Sequence, residues 1–201
     1  MKISLTDFVD FIALSGGKRL TKVKQIRERG KYDPKTDFYK RIRDGIIQNQ
    51  KNSKDTGELD KIVATVTDKK KKDNYTAVLN GYKKFMGKKK FESFDVPKKN
   101  WSYKELNMKL NPELGLIIKG EPHIVKLYFK KDKIEKDKVN SIICFMENEL
   151  SSMLREKSKF CVLDITNSRI HYRDKRRIDF MPLIMGEADS FITIWNNLDK
   201  K

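Results

Sequence analysis

Residues 113–119 and 123–130 are both rich in apolar side chains, and between them stand Gly120, Glu121 and Pro122. This short-range pairing constrains the fold more than any other feature of the chain. Glycine at the first position of a two-residue turn, closed by Pro122, joins the two segments as an antiparallel hairpin. An isolated hairpin is marginal in water, so the pair demands further strands and a covering helix. Leu106, Met108 and Leu110 alternate with Asn107 and Lys109, the period of a half-buried strand, and Asn111-Pro112 ends it. After the hairpin, Val139, Ile142, Ile143, Met146, Leu150 and Met153 recur at helical spacing. Residues 160–165 form a short apolar run that reads as a fully buried strand. Asn167-Ser168 then turns the chain into residues 169–172, and residues 182–198 read as a last helix despite Gly186.

The first half is helical. Thr6 is placed to cap a helix carrying Phe8, Phe11 and Ile12, which Ser15-Gly16-Gly17 ends. Residues 18–29 form a second, with Leu20, Val23 and Ile26 on one side and Gly30 as the stop. Asp33-Pro34 opens a third that buries Phe38, Ile42 and Ile46. These last two helices have the outline of a helix-turn-helix with basic faces, the pattern of many small bundles as well as of DNA readers. Residues 49–57 read as a loop, residues 58–66 as a short helix, and Lys69 to Lys72 as a solvated run. Residues 74–86 form a further helix with Tyr75, Val78, Leu79, Tyr82 and Phe85 as its apolar side.

The expected fold class is therefore α+β: a helical N-terminal portion, then an α-β-β-β-α-β core with a mainly antiparallel sheet. Three segments are expected, with residues 1–86 helical, 87–100 a basic and aromatic connector, and 101–201 the core. This order of elements, over residues 74–172, resembles the minimal core of the PD-(D/E)xK nuclease superfamily. In that superfamily an acid, often after proline, begins the second strand, and an acid-x-Lys triplet lies on the third. The acids hold Mg²⁺ and the lysine stabilises charge or positions the attacking water. Pro112-Glu113 matches the first element. Ile124-Val125-Lys126 keeps the lysine but has isoleucine where the acid is expected.

The resemblance implies Glu113 and Lys126 as catalytic residues and Glu113 as the Mg²⁺ ligand. Hairpin register bears on this independently. With Gly120-Glu121 as the turn, Gly115 faces Lys126, and Glu113 and Lys126 are diagonal neighbours on one face. The glycine then leaves room above the sheet. Glu113 alone leaves a Mg²⁺ site short of charge, with Glu105 and Asp164 the only nearby acids. His123 falls on the opposite face from Lys126, with no Cys or His at ligand spacing, which argues against zinc.

Charge speaks to function. The 201 residues hold 45 Lys and Arg against 28 Asp and Glu, a net charge of +17. A base-composition bias toward Lys would raise Glu with it, so the imbalance points to a polyanionic partner. No apolar stretch approaches the length of a membrane span. Asp7 and Asp10 interrupt the N-terminal apolar run, unlike a signal peptide, and Cys144 and Cys161 read as buried thiols in a reducing cytoplasm. Lys88, Lys89, Lys90, Lys98 and Lys99 are interleaved with Phe91, Phe94 and Trp101. Either the rings pin a connector to the core, or they stack on bases while lysines hold phosphates. Arg169, Arg173, Arg176 and Arg177 form the densest arginine cluster, suited to bidentate phosphate contact.

The expected function is that of a bacterial nucleic-acid-binding protein, contacting DNA or RNA through a basic face, with catalysis lost. One alternative is an active Mg²⁺-dependent nuclease. Another is a non-enzymatic subunit of a defence or mobile-element complex that meets an acidic protein.

Overall fold

The computed structural model describes residues 1–29, 33–52, 56–154, 156–174 and 178–198. Among them the order is β1 (Lys2–Ser4), α1 (Leu5–Ile12), α2 (Gly17–Glu28), α3 (Lys40–Lys51), α4 (Gly57–Ala64) and α5 (Lys69–Met86). Then follow β2 (Ser93–Phe94), β3 (Lys99–Tyr103), β4 (Leu106–Leu110), β5 (Leu114–Ile118), β6 (Glu121–Tyr128), α6 (Lys136–Leu150), β7 (Lys159–Asp164), β8 (Arg169–Tyr172) and α7 (Met181–Asn197). The fold is α+β with two sheets, each mixing parallel and antiparallel pairs. Five strands run in the order β2-β5-β6-β7-β8, with β6 and β7 parallel and the other pairs antiparallel. Three strands run β1-β4-β3, with β1 parallel to β4.

The expectation that β4 extends the hairpin is therefore corrected. Asn111-Pro112 carries the chain out of β4 into a different sheet, and β2 takes the place beside β5. Strand β1 gives β4 a second partner, and nothing in a three-residue edge strand announces it at the level of sequence.

The five-stranded sheet is covered on both faces, which is why β7 is apolar without alternation. Leu114, Leu116, Val125, Leu127, Cys161 and Leu163 pack against Ile42 and Ile46 of α3, Leu59 of α4 and Tyr75, Val78 and Tyr82 of α5. Ile124, Tyr128, Phe160 and Val162 face the other way, into a core shared with α1, α2, α6, α7 and the smaller sheet. Both hydrophobic cores thus cross the division between residues 1–86 and 101–201. The helix-turn-helix outline fails on the same ground, since α2 and α3 pack on opposite faces of the large sheet.

Local corrections have physical causes. Ser4, not Thr6, caps α1, its Oγ accepting from the Asp7 amide at 3.0 Å. Helix α3 begins at Lys40, six residues after Pro34, and runs to Lys51, so residues 49–51 are helical. Asn49 and Gln50 are buried there because the Tyr82 hydroxyl lies 3.2 Å from each side-chain oxygen. Leu20 is 50 % exposed rather than on the buried stripe of α2. Met153 lies beyond the end of α6, also exposed. Lys69 to Lys72 form the first turn of α5, whose Gly81 packs directly on the Ile165 carbonyl.

Candidate functional site

The hairpin turn is Lys119-Gly120, both with positive φ, at 53° and 78°. That is the twist a two-residue connection needs, and it moves the register by two residues from the one expected. Ile118 faces Glu121 and Leu114 faces Val125, so Glu113 lies directly across from Lys126 rather than diagonal to it. A shift of two preserves face parity, and the acid and the amine do share one side. Gly115 instead faces Ile124, and the space above it is filled by the Phe94 ring and carbonyl. The opening expected over Lys126 is closed.

Lys126 Nζ donates to Glu113 Oε1 at 2.6 Å and to the Asn111 carbonyl at 3.2 Å. The Leu127 amide donates to Glu113 Oε2 at 2.8 Å. Both carboxylate oxygens are engaged, and the side chains are only 9 % (Lys126) and 5 % (Glu113) exposed. On the helical side, burial pushes the Arg43 guanidinium down. Its ion pair with Asp37 at 2.8 Å, with the field of Glu113 and Asp44, holds it above its ordinary value.

The neighbouring acid that sequence reasoning missed is Asp10. It lines a cavity of about 10 Å³ together with Lys126, Tyr128 and Lys138, barely space for one water. Lys130 and Lys138 both bind its carboxylate. One turn earlier, Asp7 binds Lys22 at 3.0 Å and Arg29 at 2.8 Å. Burial pushes both carboxyls up, but these cations outweigh it and both lie below the usual range. The available signal was two acids three apart on a helix whose other residues, Thr6 aside, are apolar. Glu105 and Asp164 are elsewhere: Asn196 donates to Glu105, while Asp164 is fully buried and accepts from the Asn167 amide and side chain as a turn former.

The donor set does not fit Mg²⁺. Among the described residues no group of three or more His, Cys, Asp or Glu side chains converges. Glu113 already has a cation and an amide on its two oxygens, and Asp10 has three lysines at ion-pair distance. Position 124 offers isoleucine, fully buried.

The basic residues separate into two kinds. Lys88, Lys89, Lys90, Lys98 and Arg169 are exposed, and among the described residues they have no carboxylate at ion-pair distance. Lys99 pairs with Glu149 at 2.6 Å. Arg173 is engaged within the fold, joining Glu147 to the Ile178 carbonyl. Arg176 and Arg177 lie outside the described residues. The connector's rings anchor it: Phe91 stacks on Phe85 at 5.4 Å, and Trp101 packs edge-on to Phe145 at 4.9 Å.

Comparison with protein-family models, with curated proteins and with solved structures gives no match. Among the described residues no helix is long and apolar enough to cross a membrane.

Proposed function

We propose that the protein binds nucleic acid through the phosphate backbone, and that Glu113 and Lys126 brace the hairpin instead of performing metal-dependent cleavage. One observation carries the reading: Lys69, Lys70, Lys72, Lys84, Lys88, Lys89, Lys90 and Lys98 are all exposed, and among the described residues none of them has a carboxylate at ion-pair distance. Cations that stabilise a fold are paired, as Lys22, Lys126, Lys130 and Lys138 are here. Those left unpaired repel one another, and a polyanion relieves that repulsion while releasing its own condensed counterions.

The relation to PD-(D/E)xK nucleases is part of the proposal. In its favour stand the order of α5, β2, β5, β6, α6 and β7, with β3 and β4 intervening in the smaller sheet, and the shared face of Glu113 and Lys126. Isoleucine at position 124 and the engaged oxygens of Glu113 make it a form without the metal. Binding to a labelled 20-residue oligonucleotide is expected to weaken a few hundredfold between 50 and 200 mM salt, as about five phosphate contacts require. No binding at 50 mM salt overturns the reading and favours an acidic protein partner. Mg²⁺-dependent cleavage that is lost in both Glu113→Gln and Lys126→Met overturns its non-catalytic half.

A further inference from the structure

We infer, resting on that reading, that the ligand is a nucleic-acid duplex held by its phosphates on the outer face of α5 and the Lys88 to Lys90 turn. This surface lies on the opposite layer from Glu113 and Lys126. Helix α5 buries Tyr75, Val78, Leu79 and Tyr82 against the large sheet, while Glu113 and Lys126 belong to the other face of that sheet. The outward side of α5 presents Lys69, Lys70, Lys72 and Lys84. Between its two lysine groups lie only Asp73, Asn74 and the small or neutral Thr76, Ala77 and Asn80. Lys83 is set aside, since it pairs with Asp60 at 2.7 Å.

Two features mark these lysines as placed for something outside the fold. Lys69, Lys70 and Lys72 sit in the first turn, at the positive end of the helix dipole, where a cation is unfavourable. A local conflict of this kind marks a functional constraint. At the other end, Gly87 turns the chain with φ 52° and Phe91 is stacked on Phe85. Lys88, Lys89 and Lys90 are thereby held against the end of α5 instead of trailing from it.

The choice of duplex follows from where the rings are. A protein that tracks single strands stacks bases on exposed aromatics. On this layer Tyr75 and Tyr82 are fully buried. Phe85 and Phe91 stack on each other, and Tyr39 stacks on Phe129 at 5.2 Å. Among the described residues the exposed aromatic is Tyr172, on β8. A face of lysines without rings reads charge density, and a duplex has twice that of one strand. From Lys69 to Lys84 the helix rises roughly 22 Å, against which a duplex sets on the order of a dozen phosphates.

The test uses fluorescence anisotropy of the full chain at 100 mM salt with three probes of mixed sequence: a 20-bp DNA duplex, a 20-bp RNA duplex and a 20-nucleotide DNA single strand. At least one duplex is expected to bind ten times more tightly than the single strand. Lys84→Glu/Lys88→Glu/Lys89→Glu is expected to weaken that binding at least 30-fold. Lys2→Glu/Lys109→Glu, on the three-stranded sheet, is expected to weaken it less than fivefold, with circular dichroism confirming that both variants fold. Tighter single-strand binding, or an equal loss in the two variants, overturns this inference and leaves the proposed function standing. No binding of any probe, at 100 mM salt and again at 50 mM, overturns both.

Discussion

Replacing Lys126 by methionine removes the one cation from a carboxylate that the fold has taken out of water. Glu113 would keep only the Leu127 amide, 2.8 Å from Oε2, at a site where its side chain is 5 % exposed. Breaking one side of a buried, hydrogen-bonded pair costs about 3–5 kcal/mol. For a chain of this length each kcal/mol lowers Tm by about 2–4 °C, so the expected fall is roughly 6–20 °C. Replacing both groups by apolar residues of similar size, Glu113→Leu with Lys126→Met, removes the stranded charge and is expected to return stability to within about 2 kcal/mol of the parent. Urea unfolding followed by circular dichroism measures both variants. A loss below about 1 kcal/mol in Lys126→Met, or a double variant as unstable as the sum of its singles, would refute the bracing role.

Two other perturbations probe the frame around this pair. Asp10→Asn frees Lys130 and Lys138 and is expected to cost about 1–2 kcal/mol at pH 7, below the range for a fully buried charged bond because Lys130 is nearly half exposed. Since the Asp10 carboxyl is held below its ordinary 3.8, its contribution is complete above the unfolded value and disappears as pH falls through the folded one. The gap between parent and variant should therefore narrow as pH falls below the ordinary carboxyl value of 3.8, and a gap that stays constant on acidification would contradict the assignment. Gly81→Ala drives a Cβ into the Ile165 carbonyl oxygen, backbone that cannot turn aside. A loss at or above the top of the usual ~1–3 kcal/mol for overpacking is expected in the same urea assay, and an unchanged midpoint would refute it.

Most elements were legible because burial of an amphipathic face leaves a period behind. Helix α5 shows this at Tyr75, Val78, Leu79 and Tyr82, and β4 at Leu106, Met108 and Leu110. Three things were not legible. The turn type depends on backbone φ at Lys119 as well as at Gly120, and lysine gives no hint that it will adopt it. Sheet membership of β4 depends on β1, far away in sequence and too short to carry a pattern. The salt-bridge partners of Asp10 come from β6's exit and α6, 120 and 128 residues away. The shared face of Glu113 and Lys126 was legible even though the register was not, because a two-residue shift leaves the faces unchanged. The lysine face of α5 was visible as two separate groups, Lys69 to Lys72 and Lys88 to Lys90, and joining them required the helix to begin at Lys69 rather than at Asn74.

Neutralisation of phosphates by unpaired lysines is the centre of the proposed function, and the slope of log K against log salt concentration measures it directly. About five contacts predict a slope of about −4 to −5 for duplex DNA, and Lys84→Glu/Lys88→Glu/Lys89→Glu should make it shallower by about 2–3. A slope near zero, or one that the triple replacement leaves unchanged, would contradict the account.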